Sequence, residues 1–189
     1  MGGCSSIGQN LGQPLLLATE HTNALSSMAS FKSERQSYTK SLRMIDHQAI
    51  FMADNTSFLN SITVYYDEYV VGLKSCYEVN GVPTVLDLMG TGYAKQKFTL
   101  TLKEDEFIEH LILYYDELAI ICMKVQTTDG VIFTIGNYKN GNVKRREIDL
   151  RKEGRIILGF KGLVGEFLQD LWIYHAELSN DSTEGDDSQ

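Results

Sequence analysis

The chain of 189 residues has only three cysteines and two prolines. Cys4, Cys76 and Cys122 match neither a metal-ligand spacing nor a disulfide framework. A membrane-spanning helix needs ~20 consecutive apolar residues, and the short run Leu15–Leu17 is far from that length. We also expect no secretory leader, because the first residues lack a basic and then a long apolar region. These absences argue against a disulfide scaffold, a zinc module and a membrane-spanning protein.

Basic residues are too few and too scattered for nucleic-acid binding. The chain has 17 Lys and Arg against 25 Asp and Glu, a net charge of −8. Nucleic-acid affinity depends on neutralising phosphates with Lys and Arg, so we expect no nucleic-acid partner. Residues 1–44 carry four basic and two acidic residues, whereas residues 179–189 carry four acidic residues and no basic one. We therefore predict that 179–189 is an acidic, disordered tail.

A catalytic or metal-binding constellation is also missing. Histidine is scattered and never paired at ligand spacing: His21, His47, His110 and His175. The pairs Asp67-Glu68 and Asp116-Glu117 resemble acid–base carboxylates, but they occupy equivalent turns of a repeated unit, which favours solvated hairpin tips. We predict no catalytic residue, no metal ligand and no cofactor, and we interpret the protein as a non-enzyme.

What the chain does contain is a repeated unit. Phe58–Gly81 and Phe107–Gly130 align without a gap and share the Phe, a Tyr-Tyr-Asp-Glu turn and the closing Gly. A partial third copy begins at Phe167. Each full copy has an apolar run, a polar Asp-Glu tip and a second apolar run, which is the pattern of a β-hairpin. The recurrence predicts one supersecondary element used three times.

Other short strands complete an all-β domain over residues 45–178. The further predicted strands are Phe98–Leu102, Val131–Ile135, Ile156–Phe160 and Leu171–Tyr174. Asp129-Gly130 is a typical two-residue hairpin turn, and no helical periodicity is present in this range. Trp172 and Tyr174 lie two residues apart on one strand face, and we expect both rings to point into the core.

The N-terminus has the pattern of a lipidation signal. It begins Met-Gly-Gly-Cys-Ser-Ser, which matches N-myristoylation of Gly2 with Ser6 at the position that favours Ser or Thr. One myristoyl chain binds membranes only reversibly, so palmitoylation of Cys4 would be the second anchor. We predict that 1–44 is an acylated, flexible segment, with a helix over 24–44 as the alternative to an extended chain. Such acylation implies a cytoplasmic protein, peripheral on the inner face of a plasma or ciliary membrane.

The last part of the domain resembles a known family. Gly154–Gln169 reads GRIILGFKGLVGEFLQ, which is similar to the closing segment of jacalin-related lectins. Leu59–Ile62 and Ile108–Leu111 are similar to that family's Ile-x-x-Ile strands. The resemblance covers about residues 45–178. It implies an all-β fold, a β-prism of three antiparallel Greek-key sheets around a pseudo-threefold axis, with a flexible N-terminal segment and an acidic C-terminal tail outside it.

The resemblance also implies a carbohydrate-binding loop. Members of the family bind sugars through a Gly-x-x-x-Asp loop, and the matching stretch here gives the candidates Gly165, Glu166, Phe167, Gln169 and the adjacent Asp170. Gln169 replaces the family's aspartate, and an amide accepts hydrogen bonds at only one end. The family's N-terminal glycine-rich loop should meet the same site, and the corresponding stretch here, Asp46–Asp54, has no glycine.

Two functions follow from these observations. In the first, the chain is a membrane-tethered lectin-type module that binds a glycan or a protein partner through residues 165–170. In the second, it is a structural or interaction component of a large intracellular, for example ciliary or cytoskeletal, multiprotein assembly, and its sugar site has decayed. Family resemblance favours the first function, whereas Gln169 favours the second. The loop 136–142 and the basic cluster Lys144–Arg146 are interpreted as exposed surface.

Overall fold

The computed structural model of the chain describes residues 42–53, 57–137 and 143–178. The described ranges contain twelve strands in three antiparallel sheets. The first sheet, sheet A, has the order β1 (Arg43–Asp46), β11 (Arg155–Val164), β12 (Leu168–Glu177). The second, sheet B, has the order β4 (Val82–Val85), β3 (Val70–Val79), β2 (Phe58–Tyr66), β6 (Gln96–Thr101), with β5 (Met89–Gly90) also paired to β3. The third, sheet C, has the order β10 (Lys144–Asp149), β7 (Ile108–Tyr115), β8 (Ile120–Thr127), β9 (Ile132–Gly136).

Each sheet is built on one long hairpin, so the predicted β-prism with a threefold internal repeat is confirmed. The hairpins are β2–β3, β7–β8 and β11–β12. All six strands are antiparallel to their neighbours and eight to ten residues long. Their chain reversals follow the turn chemistry of the sequence: Asn80 and Gly81 both have positive φ, +51° and +75°, and join β3 to β4.

The core fills the space between the three sheets. Alternate residues of every long strand face it, as the period of two requires. Its fully buried members include Leu73, Tyr77, Leu113, Met123 and Leu171, one or more from each sheet. Fully burying an aliphatic or aromatic side chain stabilises a fold by about 1.5–3 kcal/mol, so the contact between the sheets is a main source of stability.

The partial third copy predicted from the sequence does not coincide with the third structural hairpin. Phe58 begins β2 and Phe107 immediately precedes β7, and their rings approach with centroids 6.1 Å apart. Phe167, which the sequence aligns with them, instead lies between β11 and β12, at the tip of the third hairpin. The third structural unit therefore begins at Arg155, and the sequence match at Phe167 reflects the shared apolar pattern of strands.

The strand β1 limits one alternative considered for the N-terminal segment. Arg43 and Met44 lie in strand β1, so the helix considered for 24–44 does not extend to its predicted end, and residues 24–41 lie outside the described residues. The short helix in the described ranges is α1 (Gln48–Ala53), and a single 3-10 turn spans Arg151–Glu153.

The orientation of β12 also differs from the prediction for its aromatic residues. Leu171 and Ile173 are 0% and 3% exposed and face the core. Because successive side chains alternate, Trp172 and Tyr174 lie on the outer face of sheet A and are half-buried. The hydroxyl of Tyr174 donates there to Asp46 Oδ1 at 2.8 Å. The alternation was predictable, but which set faced inward was decided by packing.

Candidate functional site

The tips of the three hairpins meet at one end of the prism, which we call the tip end. The tips comprise residues 67–69, 116–119 and 165–167. The rings of Tyr69 and Phe167 lie with centroids 4.5 Å apart and planes tilted by 31°. The Tyr69 hydroxyl donates to Asp116, and this hydrogen bond raises the pKa of Tyr69 to about 12. Tyr69 therefore contacts both of the other tips.

The aspartates of the first two tips accept hydrogen bonds from backbone amides. Asp116 Oδ1 accepts from the amide of Leu118 at 2.7 Å and from that of Ala119 at 3.1 Å. Asp67 Oδ1 accepts from the amide of Lys95 at 2.6 Å. Asp and Asn commonly hold turns through such side-chain to backbone bonds. The Asp116 carboxylate thus holds its own hairpin tip, whereas the Asp67 carboxylate links its tip to Lys95, which immediately precedes β6.

The third tip is a tight loop with a glycine and an amide side by side. The Gly165 amide donates to the Phe167 carbonyl at 3.0 Å, which closes the turn. A methyl group built on Gly165 would lie 3.3 Å from Gln169 Nε2 and 3.2 Å from Leu42 Cδ2. Gly165, Gln169 and Leu42 therefore enclose one small surface, beside which Glu166 is exposed and Phe167 is half-buried.

Asp170, the fifth candidate, has different surroundings. Its Oδ1 accepts from the Tyr115 hydroxyl at 2.9 Å and from the Leu171 amide at 2.7 Å. The same oxygen lies 2.9 Å from Arg146 Nη1. Gln169 and Asp170 are adjacent on the chain, and the change of strand face between them directs Asp170 toward sheet C. The structure therefore groups Gly165, Phe167 and Gln169 and places Asp170 in an ion pair.

Asp46, the first residue of the stretch Asp46–Asp54, pairs opposite Lys161 and lies away from the candidate loop, while Asp54 lies outside the described residues, so the meeting of this stretch with the loop stays a prediction. Strand β1 pairs antiparallel with β11, with Arg43 opposite Val164 and Asp46 opposite Lys161. The strand thus starts beside the loop and runs away from it. The residue that contacts the loop from this side is Leu42, because it immediately precedes β1.

A second group of polar residues could hold a cation by geometry. His110, Glu147 and Asp149 have ligand atoms within 4.8 Å of one another. However, Arg145 Nη2 lies 2.6 Å from Glu147, and Arg151 contacts Asp149 through two nitrogens at 2.7 and 2.6 Å. The arginine holds the pKa of Asp149 well below its usual range. Because these cations already compensate both carboxylates, we interpret the group as an ion-pair network between β7 and β10.

The predicted lipidation residues, Gly2 and Cys4, lie outside the described residues. No helix of the described ranges has the length and apolar character needed to cross a bilayer. The basic cluster predicted as exposed surface lies on β10, where Lys144 and Arg145 are exposed but Arg146 is half-buried against Tyr115, 5.6 Å from the ring centroid.

Sequence reasoning missed the residues that support the loop from other elements. Leu42, Tyr69 and Arg146 are distant in sequence from residues 165–170, and none belongs to the motif that identified the loop. The sequence did contain a signal for Tyr69. It directly follows the repeated Tyr-Tyr-Asp-Glu turn, so it could have been placed at a hairpin tip equivalent to the candidate loop. Arg146 belongs to the basic cluster Lys144–Arg146, which the sequence led us to interpret as exposed surface, and no sequence signal indicated its contact with Asp170.

Comparison with known proteins places this geometry in a family. A family model, the jacalin-like lectin domain, matches residues 44–174. Artocarpin in complex with methyl-α-mannose is similar in structure, with a TM-score of 0.54, 22% identity, and coverage of 63% of this chain and 83% of that one. Frutapin, a lectin from Artocarpus incisa, has a TM-score of 0.55 at 19% identity, covering 63% and 83%. Wild-type Malaysian banana lectin has a TM-score of 0.54 at 15% identity, covering 65% and 84%. No curated protein matches the chain.

Proposed function

Since this chain belongs to the jacalin-like lectin domain family, we propose that it is a non-catalytic carbohydrate-binding module whose glycan site is the loop Gly165–Gln169. The observation that carries the proposal is the position of Gln169 beside Gly165 at the tip end. The similar structure of artocarpin was obtained with methyl-α-mannose, which supports a saccharide as the ligand class.

The loop has the chemical groups that saccharide recognition needs. A glycine allows a ligand to approach the backbone closely, because no Cβ occupies the space. The Gln169 amide offers both a donor and an acceptor to a hydroxyl group. Phe167, held in place by Tyr69, offers an apolar surface to the carbon face of a sugar ring. We leave Asp170 out of the ligand set because Arg146 and Tyr115 engage its carboxylate.

Glycan binding by the full chain tests the proposal. The measurement is an array of neutral and charged oligosaccharides, with wild type and a Gln169→Asp variant side by side. Saturable binding by wild type that is lost in Gly165→Val would support the proposal, since the added side chain would crowd Gln169 and Leu42. No detectable glycan binding by wild type, together with binding by Gln169→Asp, would favour the alternative, an interaction component with a decayed sugar site.

A matched pair of variants separates the loop from general surface effects. Glu166 and Glu68 are both exposed acidic residues at hairpin tips. Glu166→Ala should change the apparent Kd for a bound glycan, whereas Glu68→Ala should leave it unchanged. An equal effect of both substitutions would mean that net charge, and not the third tip, controls binding.

We further propose that acyl chains on Gly2 and Cys4 hold this module on the cytoplasmic face of a membrane. The support is the sequence pattern and the weak, reversible binding that a single myristoyl chain provides. The experiment is metabolic labelling with clickable myristate and palmitate in eukaryotic cells. Gly2→Ala should remove both labels, Cys4→Ser only palmitate, and Cys76→Ser neither. Membrane fractionation that is the same for Gly2→Ala and wild type would contradict the tether.

A further inference from the structure

The three sheets of the prism differ in whether a further strand pairs with the second strand of the long hairpin. In sheet C, β9 pairs along the outer edge of β8, and in sheet B, β4 and β5 pair along the outer edge of β3. The equivalent strand of sheet A is β12, the second strand of its hairpin. Within residues 42–53, 57–137 and 143–178, β12 pairs only with β11. The position next to β12 that symmetry assigns to another strand is called the β12 slot here.

The backbone at the slot already shows how a strand would bind there. The amide of Leu171 donates to Asp170 Oδ1, and its carbonyl accepts from Arg146 Nη2. Both groups therefore point away from β11, into the slot. Because backbone direction alternates along a strand, the amide and carbonyl of Ile173 point the same way. Arg146 Nε is buried and has no hydrogen-bond partner among the described residues.

A strand edge of this length that has no neighbouring strand within the described ranges is unusual. Strand β12 has ten residues, and natural proteins cover, charge or shorten such edges because they offer unpaired backbone groups to other chains. Among the described residues, side chains hold the amide and carbonyl of Leu171 at this edge. The length of the edge and its equivalence to paired edges in the other two sheets both point to an occupant.

The occupant must supply apolar residues. In sheet C the equivalent strand, β9, buries Ile135 completely and packs Phe133 against Phe98 of β6, with ring centroids 5.6 Å apart. Residues 179–189, which follow β12, contain no apolar side chain, whereas residues 24–36 contain Met28 and Phe31. The N-terminal segment meets the requirement that the C-terminal one does not.

Chain geometry also suits the N-terminal segment. Leu42 lies beside Gly165, at the end of the prism where β12 begins. The slot is three strand spacings from β1, about 14 Å, which the five residues 37–41 span when extended to about 16 Å. A strand that reaches Leu42 this way runs toward the tip end. It would therefore be antiparallel to β12, as β9 is to β8.

We propose that residues 24–36 of this chain bind in the β12 slot as an additional antiparallel strand of sheet A. The amide and carbonyl of Ile173 then pair with this strand, and Phe31 enters the core between β12 and β10. Docking leaves residues 1–23 as the tether between the prism and any membrane anchor. This strand pairing is independent of glycan binding.

Amide hydrogen exchange of the full chain, resolved by NMR, tests the proposal. Ile173 and Trp172 are adjacent, but only the Trp172 amide faces β11, so it is the internal reference. The substitution Phe31→Pro should raise the exchange rate of Ile173 by about tenfold or more and leave Trp172 unchanged. Phe31→Asp, which keeps the backbone donor, should have the same direction of effect. Gln9→Pro, outside the docked segment, is the control.

The alternatives give different results. Equal exchange of Ile173 in wild type, Phe31→Pro and Phe31→Asp would overturn the assignment of the segment. Protection of Ile173 that rises with protein concentration would show that a second copy fills the slot, which also overturns it. Protection that is lost in Phe31→Pro and Phe31→Asp but kept in Gln9→Pro, at all concentrations, is the expected result.

Discussion

Arg146 on β10 and Asp170 on β12 form an ion pair between two sheets of the prism, with Nη1 2.9 Å from Oδ1. The same two side chains hold the amide and carbonyl of Leu171. The pair is about one quarter to one third exposed, with side-chain exposures of 32% and 22%. The carboxylate of Asp170, which directly follows the candidate loop, is therefore engaged by the scaffold.

Removing Arg146 should destabilise the fold because it leaves a half-buried carboxylate without its cation. We expect Arg146→Met to lower the free energy of unfolding by about 1–3 kcal/mol. Arg145→Met is the matched control on the same strand, since the Arg145–Glu147 pair is more exposed, at 51% and 37%, and exposed pairs contribute about 0–1 kcal/mol. Urea unfolding measures both. Equal losses would show that Arg146 acts only as another surface charge.

Tyr69 should couple the three hairpin tips. Tyr69→Phe removes the hydrogen bond to Asp116 but keeps the ring against Phe167, and we expect a loss of about 1 kcal/mol. Tyr69→Ala removes both contacts and should cost more and increase the mobility of residues 165–167. Tyr93, which is 94% exposed, gives the control Tyr93→Phe, with no expected change. Unfolding curves and loop order parameters provide the measurements, and unchanged loop order in Tyr69→Ala would contradict the coupling.

Gly136 should tolerate no side chain. Its φ is +94°, and a Cβ would lie 2.5 Å from the Ile121 carbonyl oxygen. Gly130 has a similar φ of +77° but open space around it. We therefore expect Gly130→Ala to cost about 1 kcal/mol from backbone strain alone, and Gly136→Ala about 3 kcal/mol or more from strain plus overlap. Equal thermal or urea midpoints for the two variants would refute the overlap.

His47 should make stability depend on pH. The residue is 5% exposed, and Nε2 lies 3.1 Å from the Asp87 carbonyl oxygen. Burial lowers the pKa of His47 below its ordinary value, although Asp87 opposes the shift. The folded state then binds fewer protons than the unfolded state, so stability is full above about pH 6.5 and declines as pH falls toward the folded pKa.

The variant His47→Asn isolates this contribution, because it keeps a donor for Asp87 and cannot titrate. Urea midpoints at pH 7.5 and 5.0 should fall more steeply for wild type than for His47→Asn. Every other ionisable residue is the same in the two proteins, so the difference between their slopes reports His47 alone. A wild-type slope equal to that of the variant would show that His47 does not contribute.

The fold was predictable because its determinants are local and repeated. The runs around Ser61–Tyr65 and Leu111–Tyr115, with polar tips and Asp129-Gly130 as a turn, specify hairpins through period-two alternation and turn chemistry. The GFKG motif after Gly154 led to the β-prism. The roles of Gly165–Gln169, the acylation of Gly2 and Cys4, the division into 1–44, 45–178 and 179–189, and the membrane location remain predictions.

The residues that support the loop were not predictable, because their contacts depend on packing between sheets. Arg146 meets Asp170 only because β10 lies beside β12, and Tyr69 meets Phe167 only because the hairpin tips converge. The register of β1 likewise places Leu42, and not Asp46, beside the loop. No sequence period encodes such long-range relations.

By itself, the sequence determined the elements of this protein: three hairpins, their turns, and which residues alternate between two faces. Such features depend on neighbours a few positions away, so they can be read along the chain. Only the tertiary structure decided which face of β12 turns inward, where the third repeat begins and that the edge of β12 lies beside β10. Those outcomes depend on how three sheets share one core, which is set by the simultaneous packing of side chains distant in sequence.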